Sequence, residues 1–294
     1  MKTNPLRLCL FAIAGGLAVS APAQNLYVVN YSAGSVSQFT PGGTQTTIAT
    51  GLNYPDCLAI NSAGDLFVAG QYNGIITEIT PGGAKSTFAT GLVNPFAMAF
   101  SSSGDLYVAN TGANSIIKIT PQGVQSTFAS GVTEPEGLAF DGAGNLYATT
   151  GTPGSGTITK FTPQGAASTF ASGLNYPVGL AINSAGDLFA ADAYANQITE
   201  IGPDGTLSLF ASVQSPWSLA FDRKGNLFTT EGGAPLMSID EFAPNKTETV
   251  FEANAGWVSG LAFVVPEPSL PTLFGVGATV LLWRTRRTQS KIEV

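Results

Sequence analysis

Residues 173–196 read GLNYPVGLAINSAGDLFAADAYAN, and their pattern recurs along the chain. Two apolar phrases, Leu180-Ala-Ile and Leu188-Phe-Ala, flank Asn183-Ser-Ala-Gly-Asp. Gly186 can take a positive φ there without steric cost, so the stretch reads as a hairpin. The second phrase returns with its leucine at 26, 66, 106, 146, 188 and 227, at spacings of 40, 40, 40, 42 and 39. The first returns as Leu58, Met98, Leu138, Leu180, Leu219 and Leu261, each followed by alanine. A third apolar position, Phe39, Ile79, Ile119, Phe161, Ile201 and Phe242, precedes a proline-containing turn. A fourth closes the unit at Ile48, Phe88, Phe128, Phe170, Phe210 and Phe251. Four short apolar segments per unit of about 40 residues make a four-stranded propeller blade. The expected fold is all-β, a six-bladed β-propeller.

The order of the phrases predicts how the ring closes. The chain enters at a second strand, Leu26 to Val29, and ends on an orphan first strand, Gly260 to Val264. Placing that strand in blade 1 completes six blades and removes the open edges. The repeated alanines (59, 99, 139, 181, 220 and 262) are expected where the sheets converge on the axis, because a small side chain fits there.

Composition limits the chemistry. Of 294 residues, 44% are hydrophobic and 11% charged, which favours a packed core over disorder. There is no histidine, which excludes Ser-His-Asp hydrolysis and His-ligated zinc. Between Gln24 and Val265 six cations face seventeen acids, so no nucleic-acid partner is expected. The two cysteines allow no disulfide framework.

The two ends read as addresses. Residues 1–23 have a secretory pattern: Lys2 and Arg7, an apolar stretch from Leu8 to Val19, and Ala21-Pro-Ala23 before Gln24. Cleavage there would leave Cys57 as the only thiol. Residues 266–294 begin with Pro266-Glu267-Pro268 and continue through the apolar run 270–283 to Arg284, Arg286 and Arg287. The run is shorter than the roughly 20 residues of a comfortable spanning helix. This order resembles the PEP-CTERM sorting tail, with Thr288–Val294 continuing beyond the basic cluster. The resemblance implies an exosortase-type partner, transient anchoring in the cytoplasmic membrane, and delivery to the cell surface or extracellular matrix. A plain C-terminal anchor is the other reading, and both leave residues 24–265 outside.

Asn-Tyr-Pro, Gly-Leu-Ala, Gly-Asp-Leu-Phe and then Ala-Asp before a third strand, as in Gly173–Asn196, resemble NHL repeats. Gluconolactonase-like and streptogramin-lyase-like six-bladed propellers are similar at this level. The gluconolactonase resemblance implies a divalent metal, usually Ca²⁺, in the axial channel. Its candidate ligands are Asp56 and Glu136, each directly after a proline, with Asn53, Asn94 and Asn175 nearby. The other blades place Phe96, Val178, Trp217 and Ser259 at that position, so the family's ligand set is not reproduced. The lyase resemblance implies chemistry that relies on histidine, which is absent.

Other polar residues have structural explanations. Asn110, Asn114, Asp192 and Asn196 are expected to close the loop between second and third strands, and Asp141 and Asp222 to start hairpins. Cys57 reads as a small buried side chain. Trp217 and Trp257 are candidates for stacking on a ligand, with packing as the competing role. No catalytic residue is assigned. The expected function is an exported, non-catalytic binding or scaffold module for a protein, peptide or glycan. The alternatives are a Ca²⁺-dependent gluconolactonase-like hydrolase and a matrix filler without a specific ligand.

Overall fold

Short runs of β-branched and aromatic residues, broken by glycine turns, fold into strands only a few residues long. In the computed structural model, which describes residues 24–232, 237–252 and 255–263, these strands form six four-stranded antiparallel sheets. Each sheet is one blade. Two 3-10 turns, Thr111–Ala113 and Ala193–Ala195, are the helical elements among the described residues, and none of these is long enough to cross a membrane. The expected end segments, 1–23 and 266–294, lie outside the described residues, as does the run 270–283.

The inner strands of blades 1 to 6 are Val258–Phe263, Pro55–Ile60, Pro95–Phe100, Leu138–Phe140, Pro177–Ile182 and Pro216–Phe221. Each contacts its two neighbours around the ring. Val258–Phe263 pairs antiparallel with Leu26–Asn30, so the end of the described chain completes the first blade as the sequence predicts. Hairpins join consecutive strands. At Gly64 (φ +88°) the amide donates to the Asn61 carbonyl at 3.1 Å, in a backbone conformation that favours glycine.

Aromatic rings hold the blades together. Phe67 of blade 2 meets Phe88 of its own sheet (centroids 4.8 Å apart) and Phe100 of blade 3 (5.1 Å), both edge-on. Tyr107, Phe189 and Phe228 repeat the arrangement with Phe140, Phe221 and Phe263 of the following blade. Such pairs contribute about 0.5–1.5 kcal/mol beyond their buried area.

The repeated alanines have a different place from the one expected. Ala59, Ala99, Ala139, Ala181, Ala220 and Ala262 lie directly across the strand pair from Phe67, Tyr107, Tyr147, Phe189, Phe228 and Tyr27. They leave room for those rings between blades. The closest approach at the axis comes two residues earlier, at Cys57, Ala97, Gly137, Gly179, Ser218 and Gly260. A Cβ on Gly179 would lie 2.4 Å from the Trp217 carbonyl oxygen, and one on Gly137 2.5 Å from that of Val178. Both obstacles are backbone, so the blades themselves must move. Gly179→Ala is expected to cost roughly 1–3 kcal/mol by overpacking. Gly142→Ala, with nothing within 4 Å of the new carbon, should change little. Urea unfolding of both variants checks this, and equal midpoints would refute the close-approach account.

Candidate functional site

Pro55 begins the inner strand of blade 2, and the ladder slips by one residue between Pro55 and Cys57. Asp56 is the extra residue, and a bulge of this kind re-aims a side chain. The same one-residue slip frees Phe96, Val178 and Ser259, and in blade 6 it leaves Trp217 and Ser218 together unpaired. In blade 4 Glu136 precedes the first paired residue, Leu138. These six residues therefore leave the sheets at one level and line a single axial cavity of about 90 Å³. The equivalence of the six positions was legible from the repeat.

Asp56 and Glu136 are each 6% exposed. Glu136 Oε1 accepts a hydrogen bond from the Tyr176 hydroxyl at 2.8 Å. Glu136 Oε2 and Asp56 Oδ2 are buried without a partner. Burial raises both acids, to about 7 each, against the opposing help of Ser259 at Asp56 and of Tyr176 at Glu136. The charges of Glu134 and Asp56 raise Glu136 further. Burial and the neighbouring Glu136 also hold the Tyr176 phenol above its usual range. Cys57 is buried, and burial pushes its thiol up, so it is poorly suited to act as a nucleophile.

The residues two places before the axial six form the rim: Tyr54, Asn94, Glu134, Tyr176, Ser215 and Trp257. Five of them have positive φ, including Tyr54 at +42° and Tyr176 at +64°. Bulky side chains pay strain in that region, and such strain concentrates at functional surfaces. The rings gather in two groups. Phe96 and Trp217 lie 5.8 Å apart in the cavity wall, with Tyr176 6.4 Å from Trp217 and 4.8 Å from Tyr194. Trp257, 60% exposed, stands 6.3 Å from Tyr31, which faces Tyr54 at 5.5 Å; Tyr54 faces Tyr72 at 5.3 Å.

The two tryptophans are thus separated: Trp217 lines the cavity and Trp257 belongs to the outer rim. The tyrosines were not singled out in the sequence. Tyr54 and Tyr176 stand in the Asn-Tyr-Pro phrase, where the proline drew attention to the turn and away from the ring.

The asparagines do not join the acids. None of Asn53, Asn94 and Asn175 lines the axial cavity, and Asn175 Oδ1 accepts from the Gly154 amide at 2.8 Å. Asn110, Asn114, Asp192 and Asn196 are structural, but not in the way expected: Asn110 donates within its loop to Ser115 at 3.3 Å, and the side-chain oxygens of all four reach another segment instead. Each accepts from a backbone amide of a segment leading into an inner strand, at Val93, Glu134, Asn175 and Ser215 respectively. Asp141 and Asp222 cap their hairpins as expected. Calcium takes about six to eight oxygens. The cavity offers two carboxyl groups and the Ser259 hydroxyl, which donates to the Pro55 carbonyl at 3.4 Å. Among the described residues no group of three or more His, Cys, Asp or Glu could hold a metal. The side chains present do not fit a calcium centre.

Fold and site together define a six-bladed propeller with an acidic, aromatic-walled axial mouth. The chain belongs to the virginiamycin B lyase family, whose model matches residues 12–252. No curated protein matches it. Among solved structures, a chain of a nidogen/laminin complex superposes with a TM-score of 0.75 at 17% identity, covering 82% of this chain and 98% of that one. A streptogramin B lyase gives 0.64 at 17% identity, covering 81% and 83%. A catalytically inactive histidine-to-alanine variant of virginiamycin B lyase from Staphylococcus aureus, with quinupristin, gives 0.59 at 20% identity, covering 79% and 85%.

Proposed function

We propose that this protein is an exported, non-catalytic propeller that captures a ligand at its axial mouth. The observation that carries the reading is an aromatic-walled cavity lined by two acids, each with one unpaired buried oxygen, in a chain without histidine. The lyase relative is catalytically inactive once one histidine is replaced, and that variant is described with quinupristin. Retained binding without turnover is what this comparison supports for the present chain. The nidogen/laminin neighbour supports a polypeptide as the kind of partner such a propeller engages.

Residues 1–23 serve as the export signal in this reading, 24–265 as the propeller and 266–294 as a PEP-CTERM-type tail. An exosortase-type enzyme would process the tail at Pro266-Glu267-Pro268, with 270–283 and the arginines holding it briefly in the membrane. Its support is the order of these segments in the sequence.

A gluconolactonase-like hydrolase is the second reading. It is favoured by the opening of Asp56 and Glu136 onto one cavity, and weakened by the thin donor set. Incubation of the full-length chain with quinupristin and with aldonolactones, with and without Mg²⁺ or Ca²⁺, separates the two. No loss of substrate is expected. Enzyme-dependent turnover of either substrate would sink the non-catalytic reading.

A further inference from the structure

We propose that the axial cavity is a receptor for one guanidinium head group, presented as an arginine side chain by a polypeptide partner. The proposal rests on the binding-module reading and names the ligand class.

Asp56 Oδ2 and Glu136 Oε2 are acceptors without donors, on side chains that are each 94% buried and line the same cavity. A buried acceptor left unpaired is costly, so a ligand that brings N–H groups to both oxygens recovers that loss on binding. Guanidinium carries five such donors in a rigid plane. Its flat faces stack on aromatic rings, and Phe96 and Trp217 wall the cavity.

Charge and size select further. Glu134 adds a third acid at the rim, and its charge is felt at Glu136. The six cations of the propeller lie elsewhere. Lys85, Lys118 and Lys160 are on outer strands, Lys246 is in an outer turn, and Arg223 and Lys224 are in a hairpin at the opposite end of a blade. An acidic mouth without cations attracts positive ligands and repels anions. A cavity of about 90 Å³ takes the tip of a side chain. A bare divalent ion would find too few oxygens.

The test is calorimetric titration of the full-length chain with ethylguanidinium, with its neutral isostere ethylurea, and with calcium chloride. Saturable ethylguanidinium binding is expected, with no heat from ethylurea. Asp56→Asn and Glu136→Gln keep the shape and remove the charge, and each should weaken binding at least tenfold. Circular dichroism confirms that each variant is folded, and either variant alone suffices if the other is not. N-acetyl-Gly-Arg-Gly amide binding more tightly than ethylguanidinium supports presentation by a polypeptide. Its exclusion while ethylguanidinium binds overturns that part. Equal binding of ethylurea, undiminished binding in the variants, or displacement of ethylguanidinium by calcium overturns the site. If ethylguanidinium fails to bind and no substrate is turned over, the ligand class is wrong and the binding-module reading stands. Turnover of quinupristin or a lactone strikes that reading instead.

Discussion

A chain ending at Ala255 should lose its cooperative thermal transition or melt far below the full-length protein. What it lacks is the strand Val258–Phe263, which supplies the inner strand of blade 1 and touches the inner strands of blades 2 and 6. Val258, Leu261 and Phe263 are buried, and Phe263 packs edge-on against Phe228 of blade 6 at 5.0 Å. Full burial of such side chains contributes about 1.5–3 kcal/mol each. Their sum rivals the roughly 5–15 kcal/mol that holds a whole domain together. Truncation would also bare the edge of Leu26–Asn30, which then becomes a template for association with other chains. A chain ending at Val265 retains the strand and serves as the control, since it too lacks the segment 266–294. Circular dichroism melts and gel filtration compare the two. Matching melting temperatures would show that the ring does not depend on its closing strand.

How much of this was legible in the sequence depends on what each residue answers to. Strand count and blade order were legible because each blade repeats the same backbone problem about every 40 residues, and a repeated solution shows without coordinates. The axial level was legible for the same reason: Asp56 and Glu136 stand out against Phe96, Val178, Trp217 and Ser259 only once the blades are aligned. The role of the alanines was misread because two small positions lie two residues apart on one strand. Ala59 faces the Phe67 ring between blades, whereas Cys57 and its equivalents sit where inner strands meet backbone to backbone. A repeat shows that a position must be small and leaves open which neighbour demands it. The asparagines were misread as near-axial donors because none of them lines the cavity, and the Asn175 amide oxygen accepts from Gly154 instead. The tyrosine pairs were missed because their side chains come from different loops and meet only in the folded ring: Tyr31 and Tyr72 against Tyr54, and Tyr194 against Tyr176.

Asp56→Asn should stabilise the protein at pH 8 and leave it nearly unchanged at pH 4. In an unfolded chain Asp56 ionises near its ordinary 3.8 and Glu136 near 4.5, whereas burial raises each to about 7 in the fold. Well below pH 4 both states hold the protons, and at pH 4 the two acids distinguish them only slightly. As the pH climbs from 4 to 7 the unfolded chain ionises first, so stability falls; above 7 the loss is complete. At about 1.36 kcal/mol for each unit of pKa, the penalty at Asp56 is on the order of 4 kcal/mol. Removing it should raise the melting temperature at pH 8 by roughly 10 °C for a domain of this size. Thermal unfolding of wild type and variant at pH 4 and pH 8 measures it, and equal destabilisation at both pH values would refute the account. The sign matters for function. Two acids that burial raises this far weaken the fold near neutral pH, although Glu136 still accepts from Tyr176 of the next blade, and a cationic ligand at the mouth would offset that cost.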